Sequence, residues 1–266
     1  MRTSALVLAA VLLLAVPLLL GCQRSQGGVT VAGSTSVQPF AEALAEEYMR
    51  DHPAAVINVQ GGGSSAGIQA ALTGAADIGM SSRELQPDEK ARLDEYVIAL
   101  DAIAIVVHPS NQLADLSLEQ IHQIFAGQVP SWRAFGGPDK PIHVVTREEG
   151  SGTRGAFQEL VMGKTDISPA AIVQDSNGAV RQVVADDPHA VGYISLGLVD
   201  KQVKAISIGG IKASHENVVN RTYKLSRPFL YVVRGTPVRE AQDFIQFTLS
   251  PQGQNLLAKE GLVPAQ

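Results

Sequence analysis

Two long apolar runs constrain this chain more than any other feature: VIALDAIAIVVHP, from Val97 to Pro109, and YKLSRPFLYVVRG, from Tyr223 to Gly235. Each exceeds the usual strand length of about five or six residues. Around them, short strands alternate with helices. VTVAG is followed by VQPFAEALAEEYMRD, AVINVQ by AGIQAALTG, and ADIGM by QPDEKARLDEY, the last read as a helix. Between the two runs come SLEQIHQIFAG, PIHVVT, RGAFQELVMG, AVRQVVADD, AVGYIS and VKAISI; after them, REAQDFIQFTLSPQGQNLLAKEG gives a helical finish. Such alternation favours parallel sheets with helices on both faces. Two long strands bracketing a middle section mean that the chain leaves one α/β lobe and later returns to it. The expectation is two lobes, 29–106 with 226–266 and 107–225, joined by a two-strand hinge with a ligand cleft between them.

The first residues stand apart from this pattern. Arg2 precedes a long apolar run that breaks at Pro17 and ends in LLLGC, the form of a secretory signal. The one cysteine, Cys22, follows Leu19-Leu20-Gly21, where a bacterial lipobox carries the lipidated residue. The expectation is a signal peptide over 1–21, lipid on Cys22, and a tether over 22–28, giving a membrane-anchored protein of the periplasm or cell surface. A single cysteine excludes disulfides within the chain. With a net charge of −5, neither nucleic acid nor an anionic membrane surface is a general partner, so any anion site must be local.

Four turns could make such a site: Gly33 to Ser36 (GSTS), Gly61 to Ser65 (GGGSS), Met80 to Glu84 (MSSRE) and Gly150 to Arg154 (GSGTR). Each lies between an apolar strand and a candidate helix. A helix start carries unpaired N–H groups and a partial positive charge. Glycine lets the backbone approach closely, and hydroxyls add donors. Any one such turn is ordinary helix capping. Four of them at the carboxyl ends of strands, where open α/β sheets bind ligands, describe a small cage of donors suited to a tetrahedral oxyanion.

The fourth turn adds charge. Arg147 closes the strand before it and Arg154 follows Thr153. A guanidinium gives two parallel hydrogen bonds to a phosphate or sulfate, and Arg147, facing the turn, is the better candidate. Glu149 is expected to pair with it, while a surface ion pair with Glu148 or Glu149 is the bland alternative.

Other motifs fail. GGGSSA loosely fits a dinucleotide turn, but Asp77 begins the next strand instead of ending one. Gly163-Lys164-Thr165 lacks the earlier P-loop glycine, Gln158 standing in its place, and follows a helix instead of preceding one. There is no G-x-S-x-G elbow, and the six histidines show no metal-binding spacing, so no cofactor or metal is expected. Trp132 reads as lobe packing.

Taken in order after a lipobox, AGSTSVQPFAEALAEEY, GGGSSAGIQAALTGAADIGMSSRE, REEGSGTRGAF and AVGYISLG resemble the PstS family of phosphate-binding proteins that serve bacterial phosphate ABC transporters. The resemblance spans essentially the whole chain after the signal. It implies the type II periplasmic-binding-protein fold, with one phosphate held between the lobes and passed to a membrane permease by a monomer that does no chemistry. It implies donors at Ser34, Thr35 and Ser64 on one side, and Arg147, Ser151, the Gly152 N–H and Thr153 on the other, with Glu149 buttressing Arg147. In the best-known members of the family the third turn carries an aspartate that accepts the proton of hydrogen phosphate, while several shorter relatives share an SSR turn. Here Ser82 stands in that place. Serine donates or accepts and repels nothing, so discrimination against sulfate is weakened. Two alternatives remain open at this stage: a binding protein for another oxyanion such as sulfate or molybdate, and a phosphatase on a related scaffold.

Overall fold

The structure, a computed structural model, describes residues 28–265. The expected signal peptide, Cys22 and most of the tether lie outside them. The first lobe opens with β1 (Val29–Gly33), α1 (Gln38–Asp51), β2 (Ile57–Gly61), α2 (Ser64–Thr73), β3 (Ile78–Ser81) and the single turn α3 (Pro87–Lys90). The long strand β4 (Asp94–Val107) leads into the second lobe. There follow β5 (Asp115–Leu116), α4 (Leu118–Phe125), β6 (His143–Arg147), α5 (Gly152–Phe157), β7 (Ile172–Gln174), α6 (Asn177–Asp186) and β8 (Ala190–Ser195). Short strands β9 (Lys204–Ala205) and β10 (Ser207–Ile208) and the helix α7 (His215–Val219) complete that lobe. The chain returns through β11 (Ser226–Val233) and ends with α8 (Arg239–Leu249), α9 (Pro251–Lys259) and β12 (Val263–Pro264).

One sheet runs through both lobes in the order β2-β1-β3-β11-β4-β8-β6-β7, with β9 and β12 also on β4. Strands β1, β2 and β3 are parallel, whereas β11 is antiparallel to both β3 and β4. β4 changes partner along its length. From Asp94 to Ala102 it pairs with β11, and from Ile103 to Val107 it pairs with β8. The passage from lobe to lobe by strand pairing thus comes at Ala102–Ile103, a few residues before the expected 106–107. From Ile98 onward β4 is buried on both faces, with only Leu100 partly exposed, which is why IALDAIAIVV reads as continuously apolar instead of alternating.

Each lobe has cores on both faces of its sheet. In the first lobe, Val31, Phe40, Leu44, Phe229 and Phe244 pack on one side and Ile68, Leu72, Leu93 and Val232 on the other. The second lobe is built likewise, around Phe125, Phe157 and Tyr193 on one face and Val145, Val180, Val184 and Ile194 on the other. Phe157 and Tyr193 stack with centroids 4.1 Å apart.

Three expected elements differ. The helix over QPDEKARLDEY shrinks to Pro87–Lys90, and Asp94, Glu95 and Tyr96 instead pair with Val233, Val232 and Tyr231 of β11. Sheet pairing outweighs a local helical preference there. The helical finish breaks at Ser250, whose Oγ accepts from Gly253 N at 3.3 Å; Pro251, lacking an N–H, starts a new helix. VKAISI divides into β9 on β4 and β10 on β5. Among the described residues, no helix is long and apolar enough to cross a membrane.

Candidate functional site

The four turns meet at the line between the lobes. Turn one joins turn three through Ser34 Oγ, which donates to Ser82 Oγ at 2.9 Å. Turn two joins turn three where Ser82 N donates to Ser64 Oγ at 3.0 Å and the two hydroxyls lie 3.3 Å apart. The remaining links cross from lobe to lobe. Arg147 Nη2 donates to Thr35 Oγ1 at 3.1 Å, Ser36 and Thr153 share a hydroxyl bond of 2.7 Å, and Ser65 N donates to Gly150 O at 3.1 Å. A Cβ on Gly152 would run into Ser64 Oγ and lie 2.6 Å from Ser82 Oγ, so the fourth turn sits directly against the second and third. Ser34, Ser64, Ser82, Arg147, Ser151 and Thr153 are all buried. The lobes are closed on one another.

Local chemistry explains the backbone shape. Gly63 has φ of 89°, and a side chain there would stand 3.0 Å from Gly150 O of the other lobe. Ser151 is the N-cap of α5, its Oγ accepting from Arg154 N at 3.2 Å. Ser34 caps the opposite turn by accepting from Ser36 N at 3.2 Å. Capping and ligand readiness are therefore compatible: a hydroxyl that accepts through a lone pair still holds its own proton. Ser64 and Thr35 are in the same position, accepting from Ser82 N and Arg147 Nη2. What the cage offers is protons.

Arg147 supplies the charge. Its side chain is 1% exposed, and Glu148 takes its Nε at 3.0 Å and its Nη2 at 2.9 Å. The carbonyls of Gln174 and Asp175 accept from the same two nitrogens at 3.2 and 2.9 Å. Nη1 has no partner among the described residues although it is buried. A buried donor of a guanidinium left unpaired is costly, so it marks a place where an anion belongs. Behind it, Tyr193 OH shares a bond of 2.7 Å with Thr146 Oγ1, and burial pushes this phenol's pKa up, so it keeps its proton.

The expected buttress is corrected here. Glu149 does not touch Arg147: its side chain is 92% exposed and its nearest cation is Arg154 at 4.0 Å. Glu148, beside Arg147 in sequence, folds back as the turn opens and receives the guanidinium edge. Arg154 donates Nη1 to Arg147 O at 2.8 Å and so holds the end of β6. Arg83 is held by Glu89 at 2.8 Å on both nitrogens and adds no free charge to the cage, while Glu84 pairs outward with Lys90. Trp132 is buried in the second lobe, donating Nε1 to His189 O at 2.9 Å.

Four buried residues beside the cage escaped the sequence reading: Ser36, Asp101, Asn177 and Arg227. Asn177 Nδ2 donates to Ser36 Oγ at 2.8 Å from the second lobe, and Arg227 Nη2 donates to the same oxygen at 3.3 Å. Arg227 is held by Asp101, through Nε at 3.1 Å and Nη2 at 3.0 Å. A signal existed: Asp101 is the one charge in VIALDAIAIVV and Arg227 the one charge in LSRPFLYVV, and they are of opposite sign. Buried charges need partners, so the two point to each other. Among the described residues, no group of three or more His, Cys, Asp or Glu side chains could hold a metal ion.

With this geometry in hand, comparison with known proteins is decisive. The PBP superfamily domain matches residues 22–252. Over 252 residues the chain is 31% identical to phosphate-binding protein PstS of Bacillus subtilis, spanning 92% of this chain and 83% of that one. The chain belongs to the PstS family of the PBP superfamily. A crystal structure of a phosphate ABC transporter substrate-binding protein from Clostridium perfringens, with phosphate bound, superposes with a TM-score of 0.88 at 42% identity, covering 90% of this chain and all (100%) of that one. An ABC-type phosphate transport receptor from Vibrio cholerae gives 0.75 at 40% identity, over 88% and 99%. The PstS fold is the type II periplasmic-binding-protein fold, two α/β lobes on a two-strand hinge. PstS proteins are binding proteins, and the phosphatase alternative is dropped.

Proposed function

We propose that this protein captures inorganic phosphate between its lobes and delivers it to the permease of an ABC transporter. The observation that carries the reading is the buried Nη1 of Arg147, without a partner among the described residues, beside turns in which the hydroxyls of Thr35, Ser64 and Ser151 each accept one hydrogen bond and keep their protons. In this reading Thr35, Ser64, Ser151, Thr153, the Gly152 N–H and Arg147 donate to the anion. Ser34 acts through Ser82, which can donate or accept. Glu148 orients Arg147 and balances its charge. Capture at micromolar concentration needs about −8 kcal/mol. A handful of charge-assisted hydrogen bonds at about 1.5–3 kcal/mol each supply that after the cost of closing. The anion favours closure because only the closed form lets both lobes bond it.

The same reading places the signal peptide at 1–21, a lipid on Cys22 and a tether over 22–28, with a monomer anchored on the outer side of a membrane. It takes the lobes as 29–106 with 226–266 and 107–225, while the strands change partner at Ala102–Ile103.

One observation favours a second ligand. The ring contains Ser82 where an acid would repel sulfate, and Glu148 is turned to Arg147 instead of the cage. Sulfate is therefore the competitor to test. Calorimetric titration of the wild type and of Arg147→Ala with phosphate, then with sulfate, examines both readings. Phosphate binding that disappears in the variant is the expected result; tight sulfate binding beside weak phosphate binding would replace phosphate as the ligand. Equal binding by wild type and variant would remove the cage from consideration.

A further inference from the structure

Ser36 makes more hydrogen bonds than a hydroxyl can make without its direction being fixed. The oxygen has two lone pairs and one proton. Asn177 Nδ2 donates to it at 2.8 Å and Arg227 Nη2 at 3.3 Å, and an arginine can only donate. The orientation of the Asn177 amide is settled by its other end: Oδ1 lies 3.2 Å from Ser195 N, a backbone group that can only donate. Arg227 is held in place by Asp101, which also accepts from Ser195 Oγ at 2.8 Å. Both lone pairs of Ser36 are thus occupied, and its proton has one remaining neighbour, Thr153 Oγ1 at 2.7 Å. Ser36 must be the donor in that bond, and Thr153 the acceptor. The proton of Thr153 is then free for whatever the cage holds.

We propose that Asn177 and Arg227, neither of them needed to touch the ligand, are positioning residues that set the direction of this relay and thereby leave the Thr153 proton free to donate to the bound oxyanion. The inference rests on the reading of the cleft as an oxyanion site. Its consequence is selectivity. A Thr153 proton free to donate suits a fully ionised oxyanion such as sulfate, whereas hydrogen phosphate carries a proton of its own that needs an acceptor. Reversing the relay reverses that preference. In Asn177→Asp the carboxylate keeps the Ser195 N bond but can only accept from Ser36. Ser36 then turns its proton to the new acid, Thr153 donates to Ser36, and the lone pairs of Thr153 face the ligand.

The test is the ratio of phosphate to sulfate affinity, measured by calorimetry in mildly alkaline buffer where both are dianions and only phosphate has a proton. Sulfate is followed by displacement of phosphate. The wild-type ratio is the reference. Asn177→Asp is expected to shift the ratio toward phosphate by about tenfold or more, the scale of one charge-assisted hydrogen bond. That shift should vanish when Thr153→Val is added, because the valine has no hydroxyl to reverse; a simple charge effect would survive it. An unchanged ratio in folded Asn177→Asp or a shift that persists with Thr153→Val would each overturn the relay while leaving phosphate capture standing. Should Asn177→Asp not fold, Ser36→Ala asks the same question, since Thr153 without its donor can accept: a shift toward phosphate supports the relay and no shift overturns it. A wild type that binds neither anion fails the functional reading itself, and the relay with it.

Discussion

Arg227 on the returning strand β11 and Asp101 on the outgoing strand β4 face each other in register and form a buried ion pair, the guanidinium giving Nε at 3.1 Å and Nη2 at 3.0 Å to one carboxylate oxygen. The pair stands next to Ala102, where β4 leaves β11 for β8. Arg227 also donates Nη1 to Ser82 O at 3.2 Å, so the hinge strands, the third turn and the Ser36 hydroxyl are bound together by one guanidinium. Burial pushes the Asp101 carboxyl up and the Arg227 guanidinium down, and the charge and hydrogen bonds of each partner oppose the shift of the other.

Removing one member should therefore cost more than removing both. Asp101→Ala leaves a buried guanidinium unpaired, and urea denaturation should show a loss of about 3–5 kcal/mol. Asp101→Leu combined with Arg227→Met should recover most of that stability while ligand affinity stays reduced, since Ser36 loses one of its two donors and Ser82 O loses the Arg227 donor.

Glu148 and Glu149 should separate cleanly. Glu148→Gln removes the charge that orients Arg147, and phosphate affinity measured by calorimetry should change by about tenfold, the scale of one charge-assisted bond. Glu149→Gln, with its 92% exposed side chain, should bind as the wild type does. A larger effect at Glu149 would contradict the geometry.

Gly152→Ala tests whether closure is needed. The added methyl would collide with Ser64 and Ser82 of the opposite lobe only when the lobes are shut. Each lobe should keep its stability, seen as a melting temperature of the free protein within a few degrees of the wild type. Phosphate affinity should fall by about a hundredfold or more, the loss of roughly two charge-assisted bonds. Retained affinity would mean that the anion binds to one lobe alone.

Acid stability should report on the far end of the second lobe. Burial alone would raise the Asp187 carboxyl, but hydrogen bonds from the His143 ring and from His189 N, at 2.8 Å, hold its pKa below the ordinary carboxylate value. A lowered acid stabilises the fold above the ordinary carboxylate range and loses that contribution as pH falls through the range toward the native pKa. Asp187→Asn should therefore be less stable than wild type near neutrality, and the gap should close on acidification. A gap independent of pH would assign the effect to packing.

The turns were legible because glycine and serine announce backbone shape and donors in a way that survives without coordinates. The long strands were legible because burial on both faces erases polar alternation. Other features depended on partners that no local pattern specifies. Asp94 to Tyr96 read as helix because nothing nearby reveals that β11 will pair with them. The choice between Glu148 and Glu149 is decided by how the chain turns after Arg147, which depends on Gly150 meeting Ser65 of the other lobe. Ser36 and Asn177, 141 positions apart, look like ordinary helix-start residues until the lobes bring them together.

The position of β11 between β3 and β4 has a consequence for biogenesis. The sheet of the first lobe lacks a central member until residues 226–233 have been made, although most of its other strands come first. The intervening lobe draws its strands, except β4, from one uninterrupted segment and can mature earlier. Pairing across such a separation is slow, because loop closure must precede any gain from contact. The anion-binding half that is synthesised first is thus the last to become complete, and truncation just before Ser226 should abolish it while sparing the half in the middle.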